Sequence, residues 1–396
     1  MSDLQSLSSL ADVNPSTALP LTGIVSFVGM EDVSENFELT NTKDRNVEDS
    51  AGYTRFREGD LLFAKITPCM ENGKGAIARG LTNGYGFGST EFHVLRAHQD
   101  NARGFLSQWL RSPYLRRAAE AHMTGSAGQR RVPADFFVRY EIPVLPLPEQ
   151  RRVAEILDTL DNQIRATDRI IAKLKLTKQG LLTDLIVCPR LAGTGTWRSG
   201  DLGEFVSWYS GGTPSKEVAN FWAGSIPWLT PKDMKSLVVG RTFDSLTPSG
   251  VAAGSRLAPE GAVYIVVRGM ILAHTFPVAR MTVPAAFNQD IKAVVPRAGI
   301  LPRFLLFWFV AHSDSMLRLV GESTHGTKKI DLPDLKVFPA SFPGTAQQER
   351  IIEILDEQEL RIGLESAMLA KLRLQKAGLM SDLLTGRIRV PVEVAS

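Results

Sequence analysis

Glu155-Ile156-Leu157-Asp158 recurs as Glu353-Ile354-Leu355-Asp356, and the surrounding stretches, residues 150–186 and 348–384, align without a gap at a shift of 198 residues. Sixteen of those 37 positions are identical. Agreement of that density marks an internal duplication. It reaches Ala172-Lys173-Leu174 with Ala370-Lys371-Leu372, and Gly180-Leu181 and Asp184-Leu185 with Gly378-Leu379 and Asp382-Leu383. Upstream, Gly128-Gln129-Arg130-Arg131-Val132 falls at the same shift on Gly326-Thr327-Lys328-Lys329-Ile330. The globular stretches correspond more weakly, Phe105-Leu106 and Trp109 with Phe304-Leu305 and Trp308 at a shift of 199, Glu58-Gly59 with Glu260-Gly261 at 202.

The duplicated stretches have a coiled-coil period. Val153, Leu157, Leu160, Ile164, Thr167, Ile171, Leu174, Lys178, Leu181 and Leu185 follow alternating steps of four and three. The second copy places Ile351, Leu355, Gln358, Ile362, Glu365, Leu369, Leu372, Lys376, Leu379 and Leu383 on the same seam. A helix over residues 149–186 would be about 57 Å long, too long for one small domain to bury, so each needs a partner helix. The expectation is an antiparallel pair within the chain, related by a pseudo-twofold axis, with Lys178 against Glu365 and Thr167 against Lys376. The alternative is that these are solvent-tolerant seam positions. Pro148 before the first helix, Pro189 after it and Gly386 after the second are ordinary boundary signals, and Pro189 to Thr196 reads as a linker.

The predicted organisation is a globular segment over 1–148, a helix over 149–187, a second globular segment over 188–345, a second helix over 346–386 and a tail over 387–396. At 396 residues more than one core is expected. The first segment has strand-like runs at Gly23–Val28, Asp60–Ile66, Gly75–Ala78 and Glu91–Leu95 and a helical pattern near Ala102–Ala121. The second has strand candidates at Ala262–Val267 and Ile291–Val295 and a helix candidate at Leu301–Val320. The expected fold class is α/β (α+β), two domains with twisted, mostly antiparallel sheets.

Composition narrows the function. The chain is 44% hydrophobic with no apolar run of membrane-spanning length, and Met1–Leu10 lacks a signal-peptide pattern, so a cytoplasmic protein without a membrane partner is expected. Cys69 and Cys188 lie apart, and the six histidines, His93, His98, His122, His274, His312 and His325, show no metal-ligand spacing, so no metal is expected. No Walker loop, dinucleotide fingerprint, zinc-protease motif or nucleophile elbow occurs, and no catalytic residue is assigned. Thr230-Pro231-Lys232-Asp233 lacks the aromatic residue of an amino-methyltransferase motif. Net charge is only +3, yet residues 51–140 carry an excess of six positive charges and residues 191–345 an excess of four. A basic face on each segment suits a polyanion, and scattered solvated charge would also produce it.

Loop chemistry points toward DNA. Ser126-Ala127-Gly128-Gln129-Arg130-Arg131 and Ser323-Thr324-His325-Gly326-Thr327-Lys328-Lys329 each join a glycine, polar side chains and two cations. Arg can also grip guanine and Gln adenine. The turn Met70-Glu71-Asn72-Gly73-Lys74-Gly75 is of similar type. Taken singly, each loop is more often a solvated turn. Recurrence of the first at a matching shift in both halves favours function.

With these residues in view the chain resembles the specificity subunit of Type I restriction–modification systems over nearly its whole length. Leu145-Pro146-Leu147-Pro148-Glu149-Gln150-Arg151-Arg152-Val153-Ala154-Glu155-Ile156-Leu157 resembles the start of that family's first conserved helix. Ser210-Gly211-Gly212-Thr213-Pro214-Ser215, then Ile226-Pro227-Trp228-Leu229 and Asp233, resembles the opening of a target recognition domain. Glu71-Asn72-Gly73-Lys74-Gly75, Gly88-Ser89-Thr90-Glu91-Phe92 and Gly125-Ser126-Ala127-Gly128-Gln129 resemble internal motifs of such domains. Two departures stand out. The second helix begins through Gly344-Thr345-Ala346-Gln347-Gln348, which should weaken its capping, and the first domain has no counterpart of Trp197 to Phe205 before Val25, which predicts a shorter or differently packed opening.

The resemblance implies two domains that each read half of a bipartite, asymmetric double-stranded DNA target, with the helices as a ruler. It implies two methyltransferase (modification) subunits as partners, with restriction subunits as further ones. S-adenosylmethionine, ATP and Mg would belong to those partners, leaving this chain without a cofactor or active site. The DNA-contact candidates are Lys65, Lys74, Ser89, Thr90, Gln129, Arg130 and Arg131 in the first half and Lys232, Arg268, Gln289, Thr327, Lys328 and Lys329 in the second. A pure assembly adaptor is the competing reading. A self-contained methylating nuclease is disfavoured because no cofactor or nuclease motif is present.

Overall fold

The computed structural model describes residues 4–98, 103–126, 128–143, 145–188, 196–322 and 326–391. The expected linker residues 189–195 and loop residues Ala127 and Ser323–His325 lie outside them. The chain forms two compact units, one comprising Met1–Asp168 with Ala367–Ser396, the other Arg169–Ser366. The duplicated stretches form the long helices Leu147–Leu182 and Thr345–Leu384, each contributing one half to each unit. The first closes in a π-helical turn over Thr183–Val187. After the second, Gly386 takes φ +67° and its N–H donates to the Leu383 carbonyl (3.2 Å), the expected left-handed cap.

In the first unit a four-stranded antiparallel sheet runs Ala11–Val13, Phe92–Ala97, Leu61–Ala64, Gly75–Ile77. The unbroken apolar run Leu61-Leu62-Phe63-Ala64 is buried on both faces. Leu61 and Phe63 join Phe105, Leu106 and Trp109 in one cluster, while Leu62 joins Val28, Phe56 and Val94 in another. A second sheet runs Lys43–Asn46, Ile24–Val28, Tyr85–Gly88, Thr54–Arg57, with its central pair parallel. The expected helical run near 102–121 is two helices, Arg103–Arg111 and Pro113–Ala121. Pro113 cannot continue the first, and Ser112 Oγ caps the second by accepting the Leu115 N–H (3.2 Å).

The second unit repeats this plan. A five-stranded sheet runs Val206–Ser210, Ile291–Pro296, Val263–Val266, Val278–Met281, Val238–Val239, and a three-stranded one runs Asp244–Leu246, Trp222–Leu229, Ala286–Phe287. The expected helix over 301–320 divides into Pro302–Ala311 and Ser313–Leu317. The opening strand Trp197–Asp201 pairs with Pro339–Pro343. The first unit does have a counterpart before Val25, Leu4–Ser6 against Glu141–Pro143, followed by the helical turn Leu7–Ser9, so the opening expected to be absent there is present without its tryptophan.

Within each unit the two long helices run antiparallel. Val153 and Leu157 share the first core with Met380, Leu383 and Leu384, and Leu182, Leu185 and Ile186 share the second with Ile351 and Leu355. All the predicted seam leucines and isoleucines are sheltered: Leu157, Ile171, Leu355, Leu369 and Leu372 are buried, and Leu160, Ile164, Leu174, Leu181, Ile362 and Leu379 half-buried. The predicted register is wrong. Lys178 pairs with Glu359, six residues from Glu365, and Lys376 with Asp161, six residues from Thr167. The Thr167 hydroxyl instead donates to the Gln163 carbonyl of its own helix (2.9 Å). The register follows from docking of the apolar helix ends onto the domain cores, which outweighs matching polar positions along the seam.

The altered start of the second helix costs it no backbone capping. Glu149 and Gln150 N–H donate to the Pro146 carbonyl (2.9 and 3.0 Å), as Gln347 and Gln348 N–H do to that of Gly344 (3.0 and 3.1 Å). Gln150 Nε2 donates to the Leu145 carbonyl (2.7 Å), and its repeat-equivalent Gln348 donates to Pro343 (2.7 Å) and Gly299 (2.8 Å) while accepting the Leu301 N–H (2.8 Å).

Candidate nucleic-acid interface

In the first domain the strand Leu61–Ala64 runs into Lys65, where three segments cross. Lys65 N–H donates to the Glu91 carbonyl and Val132 N–H to that of Lys65, both at 2.9 Å. Arg131 bridges both Ile66 and Thr124, and Thr67 N–H donates to the Arg130 carbonyl (3.0 Å). The crossing brings together Lys65, Ser89, Thr90, Gln129, Arg130 and Arg131. The Lys74 backbone carbonyl accepts the Ala64 N–H beside the crossing (3.3 Å), but its ammonium is directed to the Met30 carbonyl (3.1 Å).

The loop Gly125–Gln129 explains its own glycines. Gly125 takes φ +120°, and a Cβ there would lie 2.8 Å from the Gln129 carbonyl oxygen. The close approach is of the loop to itself. Gln129 and Thr90 are exposed, and Ser89 Oγ accepts the Glu91 N–H (3.2 Å) to set the turn.

Both arginines are held by glutamates. The Arg131 guanidinium donates to both carboxylate oxygens of Glu91, at 2.8 to 3.1 Å, and Arg130 reaches Glu71 Oε1 at 3.4 Å. The hydrogen bond from Arg131 holds the Glu91 carboxyl below its ordinary range. Reading cations alone missed these partners, although Glu71 and Glu91 stand inside the motifs quoted above. His93, two residues on, is kept neutral: burial lowers its pKa, its Nε2 faces the Val132 carbonyl at 2.8 Å, and Asn14 Nδ2 lies 3.0 Å from Nδ1.

The second domain builds the same crossing from different residues. Val267 N–H donates to the Asp290 carbonyl and Ile330 N–H to that of Val267, both at 2.8 Å, while Arg268 bridges Lys329 and Gly269 N–H donates to the Lys328 carbonyl (2.9 Å). Lys328 pairs with Glu322 (3.0 Å) and Lys329 with Asp331 (2.9 Å). Arg268 is exposed, and the exposed Gln289 accepts a hydrogen bond from the Thr213 hydroxyl (2.5 Å). Thr327 is half-buried beside Gly326, which takes φ +78°.

Lys232 sits exposed in a turn that also repeats. Asp233 Oδ2 accepts the Thr230 N–H (2.8 Å), as Asp32 Oδ2 accepts that of Gly29 (2.8 Å). Each turn leaves a strand paired in parallel with the segment leading to Asn288 or Ser89, whose N–H groups donate to Leu229 (3.0 Å) and Val28 (3.1 Å). Thr230-Pro231-Lys232-Asp233 is thus a capping turn. The signal available beforehand was an aspartate four residues past each strand end.

Among the described residues no cluster of metal-ligating side chains occurs, and no helix is long and apolar enough to cross a membrane. Comparison with known proteins agrees with the resemblance. A family model described as the Type I restriction modification DNA specificity domain matches residues 15–176 and 194–374. The EcoR124I/EcoR124II specificity subunit of Escherichia coli is 36% identical over 208 residues, 52% of this chain and 51% of that protein. The Escherichia coli EcoAI specificity subunit is 41% identical over 174 residues, 40% of this chain and 29% of that protein. The chain thus spans about half, or less, of the length of these relatives. Two solved chains share the fold. One, from work on complex assembly and conformational transition of the type I R-M system, has TM-score 0.59 and 19% identity over 98% of both chains. The other, the S subunit from M. genitalium, has TM-score 0.58 and 14% identity over 97% of this chain and 96% of that one. With its domain matched twice along the sequence, this chain belongs to the Type I restriction–modification DNA specificity family.

Proposed function

We propose that this chain is the non-catalytic DNA-reading subunit of a Type I assembly, each domain reading one half of an interrupted, asymmetric target. The observation that carries this reading is the repeated crossing with exchanged side chains. Lys65-Ile66, Thr90 and Arg130-Arg131 occupy in one domain the backbone positions of Val267-Arg268, Gln289 and Lys328-Lys329 in the other. One scaffold with two residue sets suits two different half-sites, with the paired cations taking phosphate and the polar side chains base edges.

The long helices would set the gap between half-sites and dock two methyltransferase subunits. Those subunits would bring S-adenosylmethionine and adenine methylation, and restriction subunits would add ATP- and Mg-dependent cleavage. Methylome sequencing of cells with and without the chain tests this. The expected result is loss of a bipartite methylated motif, and an unchanged methylome sinks the reading. A gel shift of the chain with its methyltransferase partner on that motif separates DNA reading from a purely adaptor role.

A further inference from the structure

The backbone crossing also aligns the turns that follow it. Thr67 N–H donates to Arg130 as Gly269 N–H does to Lys328, so Thr67-Pro68-Cys69-Met70-Glu71 corresponds to Gly269-Met270-Ile271-Leu272-Ala273. In both turns the fourth residue is the anchor, Met70 being 0% and Leu272 2% exposed. The tips differ. The first domain has Pro68, a half-buried Cys69 and the acidic Glu71 that holds Arg130. The second has Met270, 63% exposed, and Ile271, 42% exposed, followed by Ala273.

The apolar tip is hydrogen-bonded within itself and follows directly on the exposed Arg268. Leu272 N–H donates to Gly269 (3.1 Å), while His274 and Thr275 N–H donate to Ile271 (3.1 and 2.9 Å), and Gly269 takes φ +134° to bond Lys328. Arg268 directly precedes the tip and bridges Lys329. Two large apolar side chains on an ordered turn beside Arg268, and beside Lys328 and Lys329 that a phosphate could draw from their exposed partners Glu322 and Asp331, match a polyanion that also offers apolar surface. In duplex DNA that surface is the base edges, the thymine methyl in the major groove above all.

We infer that Met270 and Ile271 make direct apolar contact with bases in the half-site read by the second domain, an inference that rests on the DNA-reading function proposed above. Ordering a preformed turn costs little entropy, so the contact adds to discrimination, and it releases no counterions, so it leaves the salt dependence alone.

The test uses the full chain with its methyltransferase subunits on the duplex identified by methylation mapping. Met270→Ser with Ile271→Ser should lower affinity about tenfold, relax base preference in one half-site only, and keep the wild-type salt slope. Lys328→Ala with Lys329→Ala should instead flatten that slope. A serine variant with wild-type affinity and preference in both half-sites overturns the inference, as does one that no longer assembles with the methyltransferase subunits, which would make the tip a protein contact. A wild-type complex that binds no DNA would overturn the reading of the whole chain, a separate and recognisable failure.

Discussion

The Lys376 ammonium lies 2.6 Å from Asp161 Oδ1 on the other long helix, and their repeat-equivalents Lys178 and Glu359, each at a shift of 198 residues, also pair. The first pair is the more deeply set. Asp161 also accepts from Arg111 (2.7 Å) and Gln108 (3.1 Å), and its side chain is 6% exposed. Burial by itself would raise the Asp161 carboxyl, but Arg111 and Lys376 outweigh it and hold it below the ordinary aspartate range.

Asp161→Asn should therefore destabilise the chain by about 3 kcal/mol, because it leaves the half-buried Arg111 and Lys376 without their nearest counter-charge, with only Asp158 beside Lys376. Arg373→Ala, which breaks an exposed pair with Asp168, should cost less than about 1 kcal/mol. Denaturant titration at neutral pH measures both. The folded-state pKa of Asp161 is depressed, so its stabilisation is present above the ordinary aspartate value near 4 and is lost as pH falls through the lower folded value. Asn at 161 should remove that part of the acid dependence. Equal costs for the two variants would refute the network's role.

Glu91 and Arg131 give opposite expectations for DNA binding. Arg131→Ala should weaken binding and reduce the salt slope by about 0.9 for a lost phosphate contact. Glu91→Gln should strengthen binding severalfold and steepen the slope, since it releases the guanidinium and removes a negative charge. Titration of a labelled duplex across a salt series reads both. Weaker binding by the Gln variant would show that the glutamate positions Arg131 for DNA instead of competing for it.

Gln348 is 0% exposed and joins the helix start to two separate loops. Gln348→Leu strands the Leu301 N–H and two carbonyls, and should cost about 3 kcal/mol. Gln150→Leu loses one bond, to Leu145, and should cost about 1 to 2 kcal/mol. Urea unfolding of the two variants checks the order.

His93 should make the first domain sensitive to mild acid. Its folded pKa lies below the unfolded value of about 6.5, so the unfolded chain binds the extra proton first and stability falls as pH drops below that value. A melting series from pH 7.5 to about 5 should show His93→Gln less stable at neutral pH but flatter with pH. Parallel curves would place the sensitivity elsewhere.

The duplication, the two long helices, the seam and the main central strands of both domains are legible along the chain. These are written as short periods, three to four residues for the helices and unbroken apolar runs for Leu61–Ala64 and Val263–Val266, which neighbours along the chain suffice to express. The sequence also placed Lys65, Ser89, Thr90 and the Gly125–Arg131 loop among the contact candidates, and the fold gathers them at one crossing. The helix register was not legible, because it depends on how Met380, Leu383 and Leu384 dock beside Val153 and Leu157, more than 200 residues away in sequence. Nor were the pairing of Arg131 and Arg130 with Glu91 and Glu71, or the exposure of Met270 and Ile271 on a turn whose Leu272 is buried like Met70 in the other domain. Charge and apolarity are properties of a residue, whereas pairing and burial belong to whatever the folded chain brings beside it.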